Sequence, residues 1–307
     1  MTDRTARAAN PFASPYFLLS FAILLWGGNF VAARLANLDM PPVALSFWRH
    51  LLAVAVVAPF ILPQLRRDAF EMRRRWKTLA LMGILLAGGN TFVYFSVLHT
   101  TVINAALINA GLPVAAVFFS WAILRDLINR WQALGILLCF TGIALVVTRA
   151  DLGVLLGLSF GWGDIFMLAA ILCWSLYMVL LKRARLAMSG WSVLVVLAGA
   201  SAVWLVPAYG AEIAAGYGTS WTWRTAACLG YVTLFSTVIA WVCWNAGTIR
   251  IGPNRASAFM CLHPVFGPIL GAVFFAEVLR PYHAVGTVLV LSGVVLVSQA
   301  LAKRKAA

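Results

Sequence analysis

The sequence predicts an all-α membrane protein with ten transmembrane helices arranged as two inverted five-helix repeats. Composition, an internal duplication and the placement of basic residues lead to that class. Hydrophobic residues make up 63% of the 307-residue chain and charged residues 10%, with a mean hydropathy of +0.93, whereas charged residues are about a quarter of a soluble domain. The duplication is read from a constant offset of 151 residues. Asn104-Ala105-Ala106 precedes Arg255-Ala256-Ser257 by that distance, Pro113-Val114 precedes Pro264-Val265, Asp126 precedes Glu277, Gly135 precedes Gly286, and Thr141-Gly142 precedes Ser292-Gly293. No gap is needed, so the match is stronger evidence of duplication than any single motif. Toward the N-terminus the offset becomes 148: Leu24 to Phe30 and Arg34 stand against Leu172 to Met178 and Lys182. The two halves are residues 15–148 and 164–302.

A membrane helix needs about 20 mostly apolar residues, and ten segments meet that need. The first, 15–34, follows a polar, basic stretch of 14 residues. It is too long for the apolar region of a signal peptide, about 7 to 15 residues, and its repeat partner is internal, so it is read as a span. Segments 42–63, 78–97, 102–124 and 131–148 complete the first half. Segments 164–182, 191–209, 226–247, 256–276 and 282–301 form the second. Between them lie the basic Gln64 to Lys77 loop, the Gly-rich Arg149 to Gly163 linker, the polar Tyr209 to Arg224 loop, and otherwise short connections. No soluble domain fits.

The formal charge of +14 points to membrane orientation rather than to nucleic acid. Eighteen of the 23 Lys and Arg residues fall on the side of the N-terminus, four (Arg34, Arg149, Arg224 and Arg280) on the other, and Arg49 lies inside the second span. Cytoplasmic loops carry the excess of Lys and Arg, so both termini are expected in the cytoplasm. Five spans is an odd number. The second half therefore enters the membrane from the opposite side, an inverted arrangement that recurs in secondary transporters.

Candidate site residues are polar and aromatic side chains near mid-membrane. Trp26 and Asn29 share a face of span 1, and Trp174 and Tyr177 repeat their spacing on span 6. Such residues anchor helices at the interface only when they sit at span ends, so a cavity-lining role is expected for both pairs. Asn90 and Tyr94 in span 3 correspond by offset to Trp241 and Asn245 in span 8, with Trp244 adjoining. An amide without a partner in hydrocarbon costs several kcal/mol, so Asn90 and Asn245 should face the interior, either bonding between helices or contacting substrate. Spans 4 and 9 carry Asn109 with Pro113 and His263 with Pro264. Proline inside a helix removes a backbone bond and kinks it, which suits Pro113 and Pro264 as hinges, or as static kinks. Arg49 would snorkel outward, pair with a backbone carbonyl or contact substrate; near a helix centre such a charge costs about 2.5–3.5 kcal/mol on insertion scales.

No Asp or Glu lies at a span centre. Asp126, Asp164 and Glu277 are near span ends, which argues against a cation-drug exchanger built on a buried carboxylate and against a metal transporter. The five cysteines and four histidines show no metal-ligand spacing. No enzyme chemistry, metal or cofactor is expected.

The Leu-Trp-Gly run of span 1, the Arg in span 2, the Pro-Val pairs of spans 4 and 9, the acidic residue ending span 9 and the glycines of the last spans resemble the drug/metabolite transporter superfamily. The resemblance covers essentially the whole chain and is to the ten-span, EamA-like exporter branch, closest to bacterial aromatic amino-acid exporters. It implies a central cavity lined by spans 1, 3, 4, 6, 8 and 9, with Trp26, Asn90, Tyr94, Asn109, Trp174, Tyr177, Trp244 and His263 near the substrate. The expected function is export of amino acids, aromatic and other neutral ones, across the bacterial inner membrane by alternating access. The alternative on the same fold is an exporter of drugs or other small metabolites, with proton antiport as a possible mode. Without a buried carboxylate, His263 is the one candidate for proton coupling. A hydrogen bond to a carbonyl freed by Pro264 is its simpler role, and facilitated export follows from that.

Overall fold

A computed structural model describes residues 14–125, 130–151, 161–251, 259 and 262–306. Every regular element among them is helical. Helix α1 (Pro15–Ala36) and helix α2 (Pro42–Val57) both begin with proline, which loses nothing in a first turn whose N–H groups have no helical partner. α2 tightens into a 3-10 turn at Ala58–Ile61. The basic stretch expected as a loop is instead helical: α3 (Leu62–Arg74) precedes α4 (Trp76–His99). Glu71 pairs with Arg74 and Arg75, three and four residues on, the spacing at which helical side chains meet.

The fourth expected span is a broken helix, α5 (Val102–Asn109) and α6 (Leu112–Leu124), interrupted at Ala110 and Gly111. Pro113 lies in the first turn of α6. α7 (Arg130–Val147) follows, then α8 (Trp162–Ala184), α9 (Gly190–Ala214) and α10 (Trp223–Gly230). The chain then widens into a π-helix at Tyr231–Ile239 before α11 (Ala240–Ile251). α12 (His263–Phe275) has Pro264 in its first turn, and α13 (Pro281–Ala306) completes the bundle. The expectation of mid-helix kinks at Pro113 and Pro264 is therefore corrected. A proline in a first turn stands where the N–H has no partner within that helix; Pro268 is the proline inside α12. Asp126 and the start of the ninth expected segment lie outside the described residues.

Among the described residues, seven helices are long and apolar enough to cross a membrane, and three shorter apolar ones (Ala133–Val147, His263–Phe275 and Pro281–Leu296) fall within the fifth, ninth and tenth expected segments. Large apolar side chains such as Phe140, Val203, Val273 and Val288 are exposed on the outside of the bundle, as a lipid-facing surface requires. α4 packs on α8, α7 on α13, α2 on α9, α5 on α12 and α1 on α11.

The α7–α13 contact is backbone-close. A Cβ added at Gly142 would lie 2.9 Å from the Gly286 carbonyl oxygen, and one at Gly293 would meet the Gly135 carbonyl and come within 2.9 Å of the Cys139 amide. Cys139 Sγ also bonds to the Val290 carbonyl at 3.3 Å. Gly142→Leu and Gly293→Leu are expected to prevent assembly, since overpacking costs about 1–3 kcal/mol even where side chains give way and here the obstacle is backbone. Size-exclusion profiles and melting in detergent check this. Normal melting with an altered substrate profile would place these glycines in the cavity wall instead.

One end of the bundle is tied by carboxylates. Glu277 forms an ion pair with Arg34 and accepts the Val102 and Ile103 amides, each at 2.9 Å. Glu212 accepts the Val43 and Ala44 amides at 3.1 and 2.9 Å, and Thr100 donates to Asp164 at 2.8 Å. A carboxylate at a helix N-terminus satisfies orphan donors and complements the dipole. In the α1–α2 connection, Arg224 bonds to both oxygens of Asp39 at 2.7 and 2.8 Å, and those bonds hold the Asp39 carboxyl below its usual range.

A central cavity built around a buried arginine

Between the helices lies a cavity of about 390 Å³, within the range of about 300–1,000 Å³ that encloses small ligands. Its walls come from α1, α2, α4, the α5–α6 break, α8, α9, the π-helix, α11, the start of α12 and Val294 of α13. On α8 the lining residues Trp174, Tyr177, Met178 and Leu181 fall in the C-terminal half; on α9, Val193 to Ala198 fall in the N-terminal half. The cavity thus reaches toward the α8–α9 connection, beside Lys182 and Arg183 in the last turn of α8 and Arg185 after it, and away from the tied end.

Nine of the ten candidate residues line it: Trp26, Asn29, Asn90, Asn109, Trp174, Tyr177, Trp244, Asn245 and His263. Tyr94 does not. It is fully buried, and its hydroxyl accepts a bond from Arg49. Pro113 and Pro264 each follow a cavity residue, Leu112 and His263.

Arg49 does not snorkel, and among the described residues it bonds to no backbone carbonyl. Only 6% exposed, it is held by four neutral side chains. Its Nε donates to Thr237 Oγ1 at 2.7 Å, and Nη1 donates to Tyr94 OH at 2.6 Å, Asn90 Oδ1 at 3.0 Å and Asn29 Oδ1 at 3.2 Å. The orientation of Asn90 follows. With its oxygen on the guanidinium, its amide nitrogen donates to the Leu86 carbonyl at 2.9 Å and to His50 Nε2 at 3.3 Å. His50 in turn donates from Nδ1 to the Ser46 carbonyl at 2.6 Å, which leaves Nε2 free to accept.

The π-helix supplies a wall that spacing arguments missed. Its wider turn lets Thr237 Oγ1 donate to the Val232 carbonyl at 2.7 Å and leaves the Ser236 carbonyl to take the Trp26 indole N–H at 3.0 Å. Both Ser236 and Thr237 reach the cavity. Such turns concentrate at functional sites, but Tyr231 to Ile239 reads as ordinary helix in sequence. Trp26 also packs on Trp244 with centroids 5.4 Å apart, and Trp174 stands perpendicular to Tyr177 at 5.7 Å. These pairs make the apolar wall.

His263 sets its ring edge against Phe30 at 5.8 Å. It is buried, and its Nδ1 has no hydrogen-bond partner. No carbonyl of the described residues accepts a bond from His263, and Met260, four residues before Pro264, lies outside them. The cavity thus combines one buried cation, several amides, an unpartnered imidazole nitrogen and indole walls. That assembly can hold the polar end and the apolar body of a small molecule.

A model of the EamA-like transporter family matches the chain twice, over residues 13–148 and 161–299. The uncharacterized transporter YyaM of Bacillus subtilis (strain 168) is 25% identical over 288 residues, covering 92% of each chain. The uncharacterized inner membrane transporter YedA of Escherichia coli (strain K12) is 24% identical over 290 residues, covering 92% of this chain and 90% of YedA. A solved crystal structure shares the fold at a TM-score of 0.60 and 20% identity, over 95% of this chain and 99% of that one.

Proposed function

Because the chain belongs to the EamA-like transporter family, we propose that it exports amino acids, aromatic and other neutral ones, across a bacterial inner membrane by alternating access. The observation that carries this is the cavity: it has the volume of a small ligand, indole walls for a side chain and amides for polar ends, and it extends away from an end closed by ion pairs. The tied end is the outer one in this reading, both termini are cytoplasmic, and the chain makes ten spans in two inverted repeats, residues 15–148 and 164–302.

Three features support the repeats. The helix pairs keep their pattern when each half is exchanged for the other: spans 2 and 7, 4 and 9, and 5 and 10 pair with each other, and 3 with 6 becomes 8 with 1. α6 ends in left-handed Arg125 (φ 56) and α12 in left-handed Ala276 (φ 51), 151 residues apart. Glu212, ending α9, caps α2, while Asp68, following α2, accepts the Ser189 amide at 2.9 Å beside the start of α9. Discontinuous helices at the midplane are typical of transporter binding sites, and Pro113 and Pro264, each opening a helix at the cavity wall, remain the proposed hinges.

The test is exchange of labelled phenylalanine in proteoliposomes. Saturable exchange without a pH gradient is expected, and it should persist in His263→Gln. The unpartnered Nδ1 of His263 favours a second reading, proton antiport, because a buried ring nitrogen without a partner at the cavity wall is a place where a proton can be taken up and released. Concentrative transport that needs a pH gradient and disappears in His263→Gln would replace facilitated export with antiport. Movement of cationic drugs alone would remove the amino-acid reading.

A further inference from the structure

The geometry points to Arg49 as the group that binds the substrate's carboxylate, and hence to a cavity that selects organic carboxylates whether or not they carry an amino group. This rests on the transport reading above but narrows it to a chemical class. Arg49 lines the cavity and spends Nε on Thr237 and Nη1 on Tyr94, Asn90 and Asn29. Nη2, with two more N–H groups, has no hydrogen-bond partner among the described residues.

Among the described residues the positive charge is also uncompensated. No described carboxylate lies within ion-pair distance of Arg49, and six of them are held elsewhere: Asp39 by Arg224, Asp68 by Ser189, Glu71 by Arg74, Asp164 by Thr100, Glu212 by the α2 amides and Glu277 by Arg34. Neutral acceptors orient a guanidinium without cancelling its charge. A buried cation with spare donors in a low-dielectric cavity is a strong site for an anion, and a carboxylate makes charge-assisted bonds of about 2.7–2.9 Å with it. Among the described lining residues there is no Asp or Glu, so a substrate ammonium finds no counter-charge. The amino group is tolerated by Asn109, Asn245 or an indole face, but it is not what the site reads. The apolar body then lies against Trp26, Trp244, Trp174 and Tyr177.

Four probes that share a ring and differ in their polar end separate the possibilities: phenylalanine, 3-phenylpropionate, phenethylamine and phenylalanine methyl ester. Binding to the purified full-length protein is read by quenching of tryptophan fluorescence, and transport by competition with labelled phenylalanine. In the wild type, 3-phenylpropionate and phenylalanine are expected to bind at least tenfold more tightly than phenethylamine or the ester. In Arg49→Gln, the two carboxylates should fall by at least tenfold and phenethylamine should not. Phenethylamine or the ester binding the wild type as well as 3-phenylpropionate would overturn the inference, and so would an equal loss of all four probes in a well-folded Arg49→Gln. If that variant fails to fold, the wild-type ranking decides alone. The two readings fail separately: phenylalanine and phenethylamine bound alike would keep amino-acid export and remove the role of Arg49, whereas 3-phenylpropionate bound without phenylalanine would do the reverse.

Discussion

Asn90→Leu is expected to destabilise the protein by about 2–5 kcal/mol and to abolish transport, because one amide serves three buried groups. Leucine leaves His50 Nε2 without a donor and removes one of the three oxygens that share Arg49 Nη1. Each buried group left unsatisfied costs about 1–3 kcal/mol, more when charged. Tyr94→Phe should be milder, since Asn29 and Asn90 still hold Nη1. Asn90→Asp separates packing from charge. A carboxylate at that position, 3.0 Å from Nη1, would neutralise Arg49 while giving up the N–H donors to His50 Nε2 and the Leu86 carbonyl, so the protein should melt below the wild type, and what folds should lose binding of 3-phenylpropionate by at least tenfold. Melting in detergent and fluorescence titration check both. Undiminished binding in folded Asn90→Asp protein would mean that the charge of Arg49 is irrelevant to the ligand.

The cavity wall was legible in sequence because polar and aromatic groups in an apolar span have few places to go. Trp26 with Asn29 and Trp174 with Tyr177 recur at helical spacing, and Asn90 and Asn245 had to face inward, so their arrival at one cavity follows from the cost of burying them unpaired. The arrangement around Arg49 was not legible. Its acceptors come from positions 29, 90, 94 and 237, on three other segments of the chain, and spacing within a helix carries no information about such meetings. Thr237 was invisible for a second reason: only the π-helix turns it toward Arg49, and nothing in the Tyr231 to Ile239 stretch distinguishes a π-turn from an α-turn. Proline was read correctly as punctuation but with the wrong geometry, because Pro113 and Pro264 interrupt a helical pattern equally well from the middle of a helix or from the first turn of a new one. The basic Gln64 to Lys77 stretch was read as a loop from its charge, although Glu71 stands three and four residues before Arg74 and Arg75, the spacing that lets a charged segment close into a helix.

Glu277→Ala is expected to have the second large effect, confined to the tied end. Its carboxylate accepts the first two amides of α5 and pairs with Arg34, and these contributions are unequal. The Arg34 side chain is 33% exposed and Glu277 only 7%; Arg34 also packs over the Phe275 ring at 4.5 Å. Solvent screens a pair with a partly exposed partner to about 0–1 kcal/mol, whereas hydrogen bonds from buried amides to a charged acceptor are worth about 1.5–3 kcal/mol each. The cap therefore outweighs the pair, and Glu277→Ala should raise hydrogen exchange at Val102 and Ile103 by at least a hundredfold, since about 1.4 kcal/mol is a factor of ten. Arg34→Ala should raise it by less than tenfold. In an exporter whose outward-open state parts α1 from α12 at this end, both substitutions remove contacts present only in the closed arrangement, so both should shift the population toward outward-open. A cysteine placed at Ile103, fully buried now, reports that shift through labelling by a membrane-impermeant thiol reagent from the outer side. Faster exchange at Val102 and Ile103 in Glu277→Ala without increased labelling would make Glu277 a helix cap alone. Equal deprotection of the two amides by Arg34→Ala would instead give the ion pair the larger share, with the guanidinium holding the carboxylate in place over α5.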